Sequence, residues 1–160
     1  MTQERSDSIL ALRRSSIPFL WVGTAAIIVG GLVAAITSPL KLEHGSWASA
    51  YLVLIVGIAL IFFGVTQSLL TERATRRTIA IEIGAWVLGS LAVLGGTLVS
   101  QPAIVDIGGA VLVIALIVFA LAVRTRGRTR ATLPLWVFRF VLLVMIISIP
   151  IGLVLSHLRH

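Results

Sequence analysis

The chain has 160 residues, 58% of them hydrophobic and 12% charged, with a net charge of +7 and a mean hydropathy of +1.09. A soluble domain is roughly 45–50% apolar and about 25% charged, so a water-soluble core of this length and a disordered polar chain are both excluded. The absence of cysteine removes disulfides, thiolate metal sites and cysteine nucleophiles. The composition predicts an all-α, polytopic transmembrane helical bundle.

Residues 1–16 carry Glu4, Arg5, Asp7, Arg13 and Arg14 and read as a cytoplasmic segment. Its second half, SDSILALRRSS, is either a short amphipathic helix lying on the membrane surface or coil. A helix rises about 1.5 Å per residue and the hydrocarbon layer is about 30 Å thick, so roughly 20 apolar residues cross it. Residues 17–37 supply the first such run, 21 residues without a charge. This run is too long for a secretory signal and lacks a small-x-small cleavage pattern, so it is expected to be retained. The second predicted span, 47–70, is uncharged for 24 residues. The third, 79–99, contains Glu82; the fourth, 103–123, contains Asp106; the fifth, 133–155, contains Arg139. The Ser100-Gln101-Pro102 turn makes spans three and four an antiparallel hairpin, and Pro150 is expected to kink the fifth. Residues 156–160 form an external tail. The runs do not alternate apolar and polar residues as barrel strands do. Five spans also do not divide into two equal inverted halves, as many transporters do.

Orientation follows from the basic residues flanking the spans. Arg5, Arg13 and Arg14, then Arg73, Arg76 and Arg77, then Arg124, Arg126, Arg128 and Arg130 put ten on one side. Lys41 and Arg159 are the two on the other. The expectation is an N-terminus inside and a C-terminus outside. A pI near 11.7 would suggest nucleic acid for a soluble domain, but here the charge sits between apolar runs. The RTRGRTR stretch at 124–130 is therefore taken as a topology anchor in preference to an RNA or lipid-phosphate contact, and no nucleic-acid partner is expected. Twelve arginines against one lysine fit a GC-rich bacterial genome, hence an expected bacterial plasma membrane.

Helices in lipid gain no hydrophobic drive toward one another, so small residues mark the contact faces. Ala85, Gly89, Ala92 and Gly96 share one face of the third span. They form either a packing seam within the chain or a homodimer seam. Gly23, Ala26, Gly30 and Ala34 in the first span, and Gly57 and Gly64 in the second, are the other candidates. Trp21 and Trp136 near the inner boundary and Trp47 near the outer one are expected headgroup anchors. Trp86 lies deeper and has no role assigned by its position.

An ionisable group in lipid asks for a partner or a purpose. Glu82 and Arg139 enter from the same side at similar depth, which predicts an intramembrane ion pair between spans three and five. That pair is structural in the simpler case and part of a proton or anion path in the other; the alternative to the pair is that Arg139 snorkels to lipid phosphate. At the outer face, Glu43, His44, Asp106 and His157 form a polar cluster, with Lys41 and His160 nearby. Two imidazoles and a carboxylate make His44 and His157 candidate metal or haem ligands. No HxxxH, ExxH or CxxCH spacing supports them, and no cofactor is expected. Ser90, Ser100 and Ser148 lack a histidine and aspartate for a triad. The Gly95-Gly96 and Gly108-Gly109 pairs lie in apolar runs rather than a phosphate loop.

The function expected is therefore a small multi-pass membrane protein acting as a non-catalytic accessory or structural subunit. Its partners would be the lipid bilayer, other membrane subunits or copies of itself. The alternatives are a small transporter or channel using Glu82, Arg139 and Asp106, and a haem- or metal-binding redox protein using His44 and His157.

Overall fold

The computed structural model describes the backbone at residues 2–40, 45–70, 75–126 and 132–158, and the side chains at 15–40, 45–70, 75–123, 133–149 and 151. All regular structure among these residues is helical. Helix α1 spans Thr2–Thr37. Helix α2 (Gly45–Tyr51), a π-helical segment (Leu52–Ala59) and α3 (Leu60–Leu70) follow one another without a break and form the second span. They are followed by α4 (Arg76–Leu98), α5 (Pro102–Arg126) and α6 (Thr132–Leu158).

Four helices are long and apolar enough to cross a membrane: Ser15–Thr37, Gly45–Leu70, Arg76–Leu98 and Pro102–Val123. Lipid offers no partners to backbone N–H and C=O groups, so a continuous helix is what an apolar run of this length must form. The fifth run read from the sequence lies in α6, a helix of 27 residues whose apolar stretch among the described side chains is Leu133–Ile149. Five crossings were expected, and four helices long and apolar enough to cross are found among the described residues. Residues 6–16 continue the helix of the first span; the side chains of residues 6–14 lie outside the described set.

The α4–α5 hairpin has the most extensive packing in the molecule, and its turn is built from the predicted tripeptide. Ser100 adopts a left-handed conformation with φ of 54°. The Gln101 N–H donates to the Gly96 carbonyl at 2.8 Å, and the Ser100 N–H donates to the Thr97 carbonyl at 3.2 Å. These two bonds satisfy carbonyls that a helix end leaves open. Pro102 then begins α5, where a missing N–H costs nothing.

Below the turn the two backbones approach closely through glycine. A Cβ added at Gly89 would lie 3.0 Å from the Gly108 carbonyl oxygen and from Leu112 Cγ. One added at Gly96 would lie 2.8 Å from the Val105 nitrogen. The small-residue face of α4 is thus used within the chain, against α5. Helix α1 meets the second span in the same manner: Gly23 lies against the Gly57 carbonyl and Ile61, and Gly30 against Val53 and Leu52. The Ser49 hydroxyl fastens this seam by donating to the Gly30 carbonyl at 2.9 Å.

The interior is organised by aromatic rings. Phe63 of α3 stacks on Phe119 of α5 at 5.3 Å between centroids and meets Trp86 of α4 edge-on at 5.6 Å. It also meets Phe138 of α6 edge-on at 5.7 Å. Phe119 in turn contacts Phe19 of α1 at 6.0 Å. Each of the five apolar runs contributes one ring, and all five rings are buried. Gly64, next to Phe63, has no side chain where the Phe19 ring enters. The outer surface carries large apolar side chains instead, among them Leu32, Leu88, Leu121 and Phe140.

Replacing Phe63 by alanine removes the ring that Trp86, Phe119 and Phe138 all meet. Phe63→Ala is expected to destabilise the protein by about 3 kcal/mol, and Phe140→Ala on the exposed surface by no more than about 0.5 kcal/mol. Thermal unfolding of the two variants in the same detergent compares them; equal losses would show that the rings do not act as a hub.

Candidate functional site

Glu82 is placed by α4. Thr75 caps that helix, its hydroxyl accepting from the Thr78 N–H at 3.3 Å, so the first turn begins just after the connection from α3. Six residues beyond Arg76, Glu82 faces the bundle interior and is 0% exposed. Gln67 of α3, also buried, donates through Nε2 to Glu82 Oε1 at 2.8 Å. Trp86 follows Glu82 by one turn, and Phe63 precedes Gln67 by one turn. The polar pair and the Phe63–Trp86 ring contact are therefore stacked in successive turns of two facing helices.

Deeper along the same interface, the Trp86 ring is sealed at 0% exposure and its Nε1 donates to the Ile55 carbonyl at 3.1 Å. Ile55 lies in the π-helical segment. The wider i→i+5 turn displaces carbonyls from the usual ladder, and such segments recur at functional positions. The Tyr51 and Ser90 hydroxyls lie beside one another, outside ideal hydrogen-bond geometry. Gln67 Oε1 is likewise a buried acceptor without a hydrogen-bond donor among the described residues.

The expected Glu82–Arg139 ion pair is not drawn among the described residues. It is Gln67, not Arg139, that reaches Glu82 Oε1. Arg139 lies exposed on α6, whose principal contacts are with α5 and α3. Phe138 and Leu142 take the buried face of α6. The next residue after Phe138 is rotated by about a quarter turn, which carries Arg139 off that face.

Asp106 is half-buried on α5. Glu43 and His44, with Lys41, lie outside the described residues, as do the side chains of His157 and His160, so the outer-face cluster is not assembled here. No group of three histidine, aspartate or glutamate residues suited to a metal ion occurs among the described residues. Trp21 and Trp136 are 74% and 69% exposed, and Trp47 is exposed as well. Ala85 and Ala92 are half-buried beside the sealed Gly89 and Gly96.

Chemically, the arrangement does two things. It satisfies a carboxyl oxygen with an amide donor in an environment where water is excluded, and it locks α3 against α4 in one register. Gln67 was absent from the candidates drawn from the sequence because it carries no charge. The available signal was the polar triplet Thr66-Gln67-Ser68 closing an otherwise apolar run.

A double-mutant cycle with Gln67→Met and Glu82→Met measures this bond. The expected coupling is about 1 kcal/mol, within the range found between membrane helices, and the double variant should be more stable than the sum of the single losses implies. Additive losses would mean that the two side chains do not interact. The chain matches no protein-family model, no curated protein and no solved structure.

Proposed function

We propose that this chain is a non-catalytic subunit that packs its helical surface against other membrane subunits or copies of itself. Its four long apolar helices are those of a small membrane-embedded protein. In the proposed topology α6 is a fifth crossing, the N-terminus is cytoplasmic, and the membrane is a bacterial plasma membrane. The arginine distribution supports the orientation, since ten basic residues flank one set of span ends and two the other.

The observation that carries the subunit role is how the polar side chains are used. Ser49 bonds the Gly30 carbonyl, Gln67 bonds Glu82, and Trp86 bonds the Ile55 carbonyl. Each of these bonds joins one helical run to another and is enclosed by side chains. A transport path needs polar groups aligned along a wet route, and an active site needs a nucleophile or base facing a space for substrate. Here these three polar groups fasten helices, and the outer face, Arg139 apart, carries mainly large apolar side chains. The connections between helices are also too short to hold an extramembrane domain.

Mild solubilisation of the tagged full chain followed by native mass spectrometry tests the role. Stoichiometric partner subunits or a defined homo-oligomer are expected; a bare monomer with a coloured or metal-bearing cofactor would refute it. The orientation is tested separately with single thiols, which the cysteine-free chain permits. On intact cells His44→Cys should react with an impermeant maleimide, and Arg76→Cys and Arg128→Cys should not.

A further inference from the structure

Arg139 is a cation on the outside of an apolar helix. It is exposed and makes no hydrogen bond or ion pair among the described residues. Its neighbours on the surface of α6 are Trp136, 69% exposed, Leu133, Phe140 and Leu143. Helix α6 contains no aspartate or glutamate to neutralise it. A guanidinium left in hydrocarbon is strongly disfavoured, so this surface calls for an anion that no described side chain supplies.

Two features of the helix determine where that anion lies. Arg139 is six residues past Leu133, about 9 Å of rise from the start of the apolar stretch. Cα–Cβ bonds of an α-helix tilt toward its N-terminus, and long side chains lie back over the preceding turn. The arginine therefore reaches toward the membrane boundary at which α6 begins, to the level of the Trp136 indole one turn earlier. Near the C-terminal end of a helix the same side chain would lean into the bilayer instead. The described acidic side chains of a second copy are poor sources of the anion. Of the acidic residues with described side chains, Glu82 is sealed in the core and Asp106 lies near the Pro102 end of α5, away from the end that leads into α6. The end from which α6 departs is also the one bearing Arg124, Arg126, Arg128 and Arg130 in sequence.

We propose that Arg139 and Trp136 form a headgroup site for an anionic phospholipid. The guanidinium takes the lipid phosphate through its two-pronged donor face, and the indole packs at the glycerol level, where amphipathic rings are favoured. The site depends on the chain being embedded in a membrane and not on the subunit role.

The test uses the full chain in phosphatidylcholine vesicles containing a minority of acyl-brominated phosphatidylglycerol, or of acyl-brominated phosphatidylcholine at the same mole fraction. With Trp21→Phe and Trp47→Phe, Trp136 is the lipid-facing fluorophore and the sealed Trp86 gives a constant background. Quenching should report about a fivefold enrichment of phosphatidylglycerol beside Trp136, the ratio expected for one arginine near the surface. R139Q should bring the enrichment close to unity, and R139K should keep part of it because a point charge lacks the fork. Unchanged circular dichroism and Trp86 emission certify the fold of each variant. Equal quenching by the two lipids in the parent chain would overturn the proposal without any variant. A preference that survives R139Q would assign it to the arginine-rich connection, and no quenching by either lipid would mean that protein covers this face; both outcomes overturn it.

Discussion

The bundle depends on the ring of Phe63. In water, burying apolar area would hold five helices together almost regardless of which residues met. In lipid that drive is absent, because a leucine against acyl chains is as well solvated as a leucine against a neighbouring helix. What remains is dense, directional contact. Aromatic rings provide it through many dispersion contacts and through the attraction of ring edge to ring face. Phe63 meets Trp86, Phe119 and Phe138, and Phe119 extends the cluster to Phe19, so a single buried group ties all five apolar runs together.

The glycines follow from the same constraint. Rings from different helices meet only if the backbones come close, and Gly64 gives way to Phe19 beside the hub itself. Gly89, Gly96 and Gly108 do the same for the α4–α5 hairpin, and Gly23, Gly30 and Gly57 for α1 against the second span. Polar bonds then set the register. The amide of Gln67 on Glu82 and the indole of Trp86 on the Ile55 carbonyl fix α3 and the π-helical segment relative to α4. A buried polar group without a partner is costly, so a slip of one turn would strand both donors. The polar groups act here as registration pins, and the proposed subunit role rests on that use of them.

The long apolar helices were legible because hydropathy acts residue by residue, and the expected orientation was read from charge in the same local way. A run of 21 or 24 uncharged residues has few options in a bilayer, and the arginines between runs need no knowledge of packing. The α3–α4 contact was only half legible. Glu82 stood out as a charge, while Gln67 passed as one more residue of an apolar span. The choice of Arg139 as its partner rested on depth alone. Depth is set by position along a helix, but contact also needs the correct rotation, and one residue of phase moved Arg139 from the buried side of Phe138 to the surface.

By itself the sequence determined a membrane-embedded helical protein, the hairpin turn at Ser100-Gln101-Pro102, and the small-residue faces on which its helices approach. Those properties are local, depending on composition within one run or on a turn of three residues. Only the tertiary structure decided that the α4 seam faces α5 in the same chain, that Trp86 lies at the centre, that the second span is π-helical over Leu52–Ala59, and that Glu82 bonds Gln67. Each of these is a relation between two helices. The rotation and spacing that create it come from the mutual fit of rings and glycines across the bundle, which no single run encodes.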